Sequence, residues 1–168
     1  ALLIAEGRLT LDDLLTEFFR DDLPPDLNAY VRRMRVRHLL SMSTGHTSEP
    51  GVTVDLHPEH SWVYGFFAHP VEHEPGTHFF YNSLATYVLS AIVTKITGER
   101  LVDYLRPRLF EPLGIENPFW EVSPQGINTG GWGLNITTAD IAAFGQMHLQ
   151  KGKWQGQQLV PEAWIAAA

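Results

Sequence analysis

Three consecutive polar residues, Tyr81, Asn82 and Ser83, precede a long apolar stretch and have side chains suited to proton chemistry. A tyrosine at the start of a helix can project its hydroxyl into a cleft. A free phenol ionises at about pH 10 and is a poor base alone, but a nearby lysine ammonium makes it a proton acceptor. Asn82 or Ser83 would then donate a hydrogen bond to the substrate. Taken alone, the tripeptide is explained more simply as the start of a helix.

Two pairs of histidines, His57 with His60 and His69 with His73, suggest a zinc site as a competing chemistry. Two histidines four residues apart on one helix can bind zinc. Pro70 directly follows His69, however, and argues against a regular helix through that pair. The HExxH order is also absent. We therefore favour solvated loop histidines, and expect neither a metal nor a cofactor.

A glycine-rich segment, "NTGGWGLN", also has the composition of a binding loop. It lacks the G-x-x-x-x-G-K-[ST] frame of a phosphate-binding loop and follows no clear strand. Its glycines would instead let the backbone approach a neighbour closely, with Trp132 as a wall of the substrate site. The alternative is a tight structural loop packed by the indole.

The composition of the chain excludes several classes of function. A length of 168 residues suits one domain, and a net charge of −7 leaves no broad positive face for nucleic acid. The sequence contains no cysteine, which excludes disulfides, thiolate metal sites and a cysteine nucleophile. No apolar run is long enough to predict a membrane span. These features leave the cellular location open.

The strongest helix signal runs from about Leu84 to Ile96, directly after the three polar residues. Its apolar residues recur at helical spacing, and Gly98 follows as a terminator. A second well-defined helix follows Thr137 and Asp140, which form a capping pair, and ends at Gly152. The predicted apolar face of this second helix consists of Ile141, Phe144, Met147 and His148.

Weaker patterns predict several shorter elements. A capping pattern of Thr10 and Asp13 indicates a helix from about Leu11 to Phe19, and "RVRHLLSMSTG" indicates another with Leu40 on its apolar face. Pro107 is expected to kink or tighten the helix in "RLVDYLRPRLFEPLG". The remaining expectations are a short helix in "SWVYGFFAH", a loop in "WEVSPQGINTGGWGLN", a hairpin or turn in "KWQGQQLV" and a last helix that begins at Pro161. Together these patterns predict six or seven helices and little strand.

Both ends of the chain have the character of interrupted helices. A helix at residues 1–6 lacks an N-cap and is closed by Gly7, and the helix after Pro161 stops without a C-cap. We therefore interpret residues 1–168 as a single domain truncated at both ends. Frayed natural termini are the alternative.

Four stretches in order resemble the serine beta-lactamase and penicillin-binding-protein family, in particular its class C, esterase and DD-peptidase-like branch. The stretches are "EGRLTLDD", "RVRHLLSMSTGH", the segment from "EPGTHFFYNSLATYVLS" to "FEPLGIEN", and "GGWGLNITTADIAAFGQMHLQKGKWQGQQLVPEAWI". The resemblance covers most of the chain, from about residue 6 to residue 165.

The resemblance implies a three-part site, of which this sequence holds one part. The family uses Ser-x-x-Lys as nucleophile and base, Tyr-x-Asn for proton shuttling, and Lys-Thr-Gly beside the cleft. Tyr81 matches the tyrosine, Asn82 occupies the middle position, and Ser83 stands where the family has asparagine. Neither Ser-x-x-Lys nor Lys-Thr-Gly occurs in the 168 residues.

The resemblance also implies a fold and a function. The fold would be mainly α, the helical subdomain of the beta-lactamase or transpeptidase-like α+β fold, with few short strands and the central sheet largely missing. The intact protein would hydrolyse an ester, an amide or a peptidoglycan-type peptide through an acyl-enzyme, and this chain alone would be inactive. Its exposed apolar faces would favour self-association. The alternative is a non-catalytic binding or sensor module with the same helical fold.

Overall fold

The fold is mainly helical, as the sequence predicts. The computed structural model describes residues 1–49 and 61–167. The α-helices in these ranges are α1 (Leu2–Ala5), α2 (Leu15–Phe18), α3 (Val36–Leu40), α4 (Trp62–Ala68), α5 (Ser83–Thr97), α6 (Leu101–Leu105), α7 (Glu111–Leu113), α8 (Thr138–Leu149) and α9 (Glu162–Ala167), and single 3-10 turns lie at Arg20–Asp22 and Val31–Arg33. The strands are β1 (Phe119–Trp120) with β2 (Leu134–Asn135), and β3 (Lys153–Trp154) with β4 (Gln157–Gln158), each pair antiparallel.

Helix α5 is the centre of the larger hydrophobic core. The Asn82 side chain caps its N-terminus, and Gly98 ends it in the left-handed region with φ of 76°. Its apolar face packs against α3, α4 and α6. The residues it buries are Leu84, Ala85, Tyr87, Val88, Ser90, Ala91 and Ile92. The strongest helix prediction is therefore confirmed, with one further residue at each end.

A smaller core joins α7 and α8 to the β3–β4 hairpin. Met147 from α8 is fully buried there beside Phe110, Leu113 and Leu159. Thr137 and Asp140 cap α8 reciprocally, since each backbone N–H donates to the other's side chain, at 2.8 and 3.2 Å. The predicted capping pair is confirmed, and the segment predicted as a hairpin or turn is a hairpin.

The predicted apolar face of α8 is only partly covered. Met147 is buried, but Ile141 is 58% exposed, Phe144 is 39% exposed and the neighbouring Leu149 is 81% exposed. We call Ile141, Phe144 and Leu149 the α8 strip. Apolar side chains at this spacing normally face a partner surface.

The predicted helix from Leu11 to Phe19 is wrong over its first half, since α2 begins only at Leu15. Thr10 does donate its backbone N–H to Asp13 at 2.8 Å, but this contact closes a turn. Leu14 then pairs with Arg35 in an isolated antiparallel bridge. That bridge requires extended backbone at Leu14, so no helix can pass through it.

Two further predictions are wrong in detail. Helix α3 ends at Leu40, which is 42% exposed instead of packing on the core. The helix does not tighten at Pro107; the chain widens into a π turn over Arg106–Phe110 between α6 and α7. A proline ring clashes with the carbonyl one turn back, and a wider turn relieves that clash.

The segment predicted as a glycine-rich loop also contains regular structure, because β1 and β2 pair where it begins and ends. In the part of the chain that the structure describes, no helix has the length and apolar character needed to cross a membrane.

Candidate functional site

Tyr81 lies on the surface where the chain enters α5, and its side chain is 60% exposed. Two hydrogen bonds hold the backbone on either side of it. Phe80 donates its N–H to the Met42 carbonyl at 2.9 Å, and Ser83 donates its N–H to Glu49 Oε1 at 2.7 Å. The phenol is therefore carried by anchored backbone while its ring faces solvent.

Asn82 faces the opposite way and is fully buried. Its backbone is extended, with φ of −145° and ψ of 108°, so neighbouring side chains point to opposite faces. Asn82 Oδ1 accepts the Ala85 N–H at 3.2 Å and so caps α5. The Nδ2 group has no hydrogen-bond partner within the described residues. Asn82 therefore fixes in the interior the segment that carries Tyr81 on the surface.

The glycine-rich loop lies directly on the first turn of α5. A Cβ added at Gly131 would stand 2.2 Å from Thr86 Oγ1 and 3.0 Å from the Ser83 carbonyl oxygen. One added at Gly130 would stand 2.5 Å from the Thr86 carbonyl oxygen. The glycines therefore permit the close backbone approach that the sequence suggested, and the neighbour approached is the helix beside Tyr81.

Trp132 follows those glycines and forms part of an aromatic stack. Its ring lies 5.9 Å from that of Trp62 at an interplanar angle of 26°, and Trp62 contacts Tyr87 at 5.2 Å. The Trp132 carbonyl accepts hydrogen bonds from Trp120 Nε1 at 2.8 Å and from Thr129 Oγ1 at 2.6 Å. The half-buried indole is thus fixed in place near the first turn of α5.

Glu49 supplies a fixed negative charge at the same helix terminus, and sequence reasoning missed it. Its carboxylate accepts the N–H of Ser83, the first residue of α5, where the positive end of the helix dipole stabilises an anion. Glu49 and Ser83 are separated by 34 positions. No local pattern of residue types signals such a contact.

The histidines in the described residues are engaged in protein contacts. His69 Nε2 lies 2.8 Å from Ser48 Oγ, and the rings of His73 and His78 stack at 4.3 Å. Among residues 1–49 and 61–167, no three His, Asp or Glu side chains are arranged to hold a metal ion. His57 and His60 lie outside the described residues.

His46 is the buried member of this histidine-rich region and is fully enclosed. Burial lowers its pKa to about 4, although its hydrogen bond to the Phe66 carbonyl acts in the opposite direction. Nε2–H donates to that carbonyl at 3.2 Å, which leaves Nδ1 to accept the Thr44 hydroxyl at 2.8 Å. His46 is therefore a neutral structural residue of the segment that leads to Glu49.

Comparison with known proteins shows which family the chain resembles over its length. A family model described as Beta-lactamase matches residues 1–167. The chain is 27% identical over 164 residues to lovastatin esterase from Penicillium rubens, covering 87% of this chain and 41% of the esterase. It is 32% identical over 88 residues to 6-aminohexanoate-dimer hydrolase from Paenarthrobacter ureafaciens, covering 52% of this chain and 22% of that enzyme.

A solved structure shares the fold over nearly the whole chain. The octameric penicillin-binding protein homologue from Pyrococcus abyssi overlays with a TM-score of 0.68 at 22% identity. The match covers 98% of this chain and 44% of that protein. This chain therefore spans less than half the length of each of these three proteins.

Proposed function

Because the chain belongs to the beta-lactamase family of serine hydrolases, whose model matches residues 1–167, we propose that it carries the proton-relay tyrosine of an ester, amide or peptidoglycan-type peptide hydrolase. The observation that supports this proposal is the placement of Tyr81. Its ring is exposed while the backbone on both sides is hydrogen-bonded, so the hydroxyl is available to a substrate in a defined position.

The chemistry would proceed in two steps. A serine Oγ attacks the carbonyl carbon, and the bond to the leaving oxygen or nitrogen breaks, which gives an acyl-enzyme. Tyr81 takes the serine proton and passes it to the leaving group, and a water molecule then cleaves the acyl-serine ester. The 168 residues contain no Ser-x-x-Lys. We propose that this pair belongs to sequence outside them.

The other predicted site residues take different parts in this proposal. Trp132 forms the wall against which the substrate packs, and Ser83 presents its hydroxyl to the substrate beside Tyr81. Asn82 was expected to bind substrate as well. Because its side chain is fully buried and caps α5, we assign it instead to holding Tyr81 in place.

A second candidate, a non-catalytic binding or sensor module, is favoured by one observation. Ser83 stands where the family motif has asparagine, so the amide that contacts substrate is replaced by a hydroxyl. A module that has lost catalysis could keep the same cleft for binding. Reactivity of the nucleophile separates the two candidates.

The decisive experiment compares the full-length protein with the 168-residue chain. We expect the full-length protein to hydrolyse a p-nitrophenyl ester or a cephalosporin and to be labelled by a serine-directed fluorophosphonate. The 168-residue chain should do neither, because a catalytic unit that lacks its nucleophile loses most of its rate. Full-length protein without turnover or labelling would favour the binding module.

We also propose that the α8 strip is a contact surface, which lies against the remainder of the protein in the full-length form and between copies in the isolated chain. Sedimentation velocity of the 168-residue chain should then show concentration-dependent association. The double substitution Ile141→Ser and Leu149→Ser removes two exposed apolar side chains and should yield monomers. Leu40→Ser, on α3, is the control. If it dissociates the protein equally well, the interface lies elsewhere.

A further inference from the structure

We propose that Met42 is a positioning residue for Tyr81. Its backbone carbonyl holds the segment that leads to the tyrosine, and its side chain attaches that carbonyl to the protein core. This inference rests on the proposed function, because it concerns the placement of the proton-relay hydroxyl. It adds to the reaction a residue that no motif in the sequence indicates.

The end of α3 supports the segment before Tyr81 through two consecutive carbonyls. The Met42 carbonyl accepts the Phe80 N–H at 2.9 Å, and the Ser43 carbonyl accepts the Gly76 N–H at 2.8 Å. Phe80 directly precedes Tyr81 in the chain. One turn therefore holds this segment at two points, and the hydrogen bond to Met42 is the point next to Tyr81.

Met42 occupies the position after α3 where the backbone is left-handed. Ser43 donates its N–H to the His38 carbonyl at 2.9 Å, and Met42 donates its N–H to the Leu39 carbonyl at 3.3 Å. This pair of hydrogen bonds defines a Schellman motif, whose left-handed residue is usually glycine and sometimes asparagine. Met42 has φ of 52°. A side chain at this φ crowds the backbone, so methionine is strained where glycine would not be.

The side chain of Met42 offsets this strain by attaching the turn to the core. It is half-buried and packs against the larger hydrophobic core. Glycine would form the same turn without that attachment. Strained residues persist where the surrounding structure fixes them, and they cluster at functional sites. At Met42 the side chain fixes the turn, and the turn carries the carbonyl that holds Phe80.

The direction of the Met42 carbonyl therefore affects the position of Tyr81. If the turn loosens from the core, the acceptor of the Phe80 N–H moves with it. A displacement of about 1 Å at a reacting group can lower the rate by about 10²-fold. The effect should lie in kcat and not in KM, because the proton that Tyr81 carries moves only in the transition state.

The C-terminus of α8 offers a matched control. Lys151 lies in the same motif, since Lys151 donates its N–H to the His148 carbonyl and Gly152 donates its N–H to the Met147 carbonyl, each at 2.9 Å. Lys151 has φ of 58°. Its carbonyl accepts the Gln158 side chain of the β3–β4 hairpin at 2.8 Å. Lys151→Gly therefore makes the same backbone change at a turn that supports the hairpin instead of the candidate site.

The test measures hydrolysis of a p-nitrophenyl ester by the full-length protein in two backgrounds, wild type and Tyr81→Phe. Met42→Gly and Met42→Asn keep the left-handed turn and remove the apolar side chain. Met42→Leu keeps an apolar side chain of similar volume. Steady-state kinetics give kcat and KM, and urea unfolding shows whether each variant is folded under the assay conditions.

We expect Met42→Gly and Met42→Asn to lower kcat by about tenfold or more with little change in KM. Met42→Leu and Lys151→Gly should stay close to the wild type. In the Tyr81→Phe background, Met42→Gly and Met42→Asn should lower kcat no further, because a positioning residue has no effect once the group that it positions is gone.

Equal losses of kcat in both backgrounds, or no loss in the wild-type background, would overturn this inference and leave the proposed function standing. Unfolding of both Met42→Gly and Met42→Asn would assign the side chain to stability alone, with the same consequence. Absence of turnover by the wild type, or full activity of Tyr81→Phe, would overturn the proposed function together with this inference.

Discussion

Replacing Tyr81 with phenylalanine in the full-length protein is expected to lower kcat/KM for an ester substrate by about 10²- to 10⁴-fold. The hydroxyl is the only group removed, and it is the group that we assign to carrying the proton between nucleophile and leaving group. Stopped-flow or steady-state hydrolysis of a p-nitrophenyl ester measures the loss. Because the Tyr81 side chain is exposed, the free energy of unfolding should stay unchanged.

Tyr30→Phe is the matched control for this substitution. Tyr30 packs its ring against the Arg33 guanidinium at 5.3 Å, and no hydroxyl chemistry is assigned to it. Its loss of a hydroxyl should leave kcat/KM close to that of the wild type. Nearly full activity of Tyr81→Phe would remove Tyr81 from the mechanism and with it the central support for a hydrolase.

The second large effect is a loss of stability in acid that depends on His46. An unfolded histidine has a pKa of about 6.5, whereas burial lowers the pKa of His46 in the folded protein to about 4. Between these values the unfolded chain binds the proton and the folded chain does not. The free energy of unfolding should therefore fall by about 3 kcal/mol as the pH falls from 7 to 4, and this contribution should level off below pH 4.

His46→Gln isolates this contribution, because glutamine can still accept from Thr44 and donate to the Phe66 carbonyl but does not titrate. Urea unfolding at pH 7, 5.5 and 4.5 measures the slope. Burial also lowers the pKa of His38 and of His69, so both proteins should keep a residual slope of the same sign. The wild type should lose stability more steeply than His46→Gln. Identical slopes would show that His46 is protonated without penalty.

The parts of the fold that sequence reasoning predicts well are those governed by local signals. Helix α5 has continuous apolar spacing and a glycine terminator, and α8 has a reciprocal cap, so each element is specified within its own length. The helix expected to start at Leu11 fails for a non-local reason. Leu14 pairs with Arg35, and this bridge overrides the local capping pattern.

The same distinction between local signals and non-local contacts applies to the residues of the candidate site. The sequence singles out Tyr81, Ser83 and Trp132 by residue type and by family resemblance. It does not indicate that Asn82 turns inward, because that depends on the extended backbone just before α5. Nor does it reveal Glu49, whose contact with Ser83 exists only once distant segments have packed together.

The contact between Gly131 and the first turn of α5 has a practical consequence for redesign of substrate range. Because the loop backbone rests on the first turn of α5 with no intervening side chain, position 131 has no room for a larger residue. A saturation library directed at position 132 would instead vary the wall that we assign to the substrate, at the cost of the stacking contact between Trp132 and Trp62. The same library at position 131 would return mostly misfolded clones.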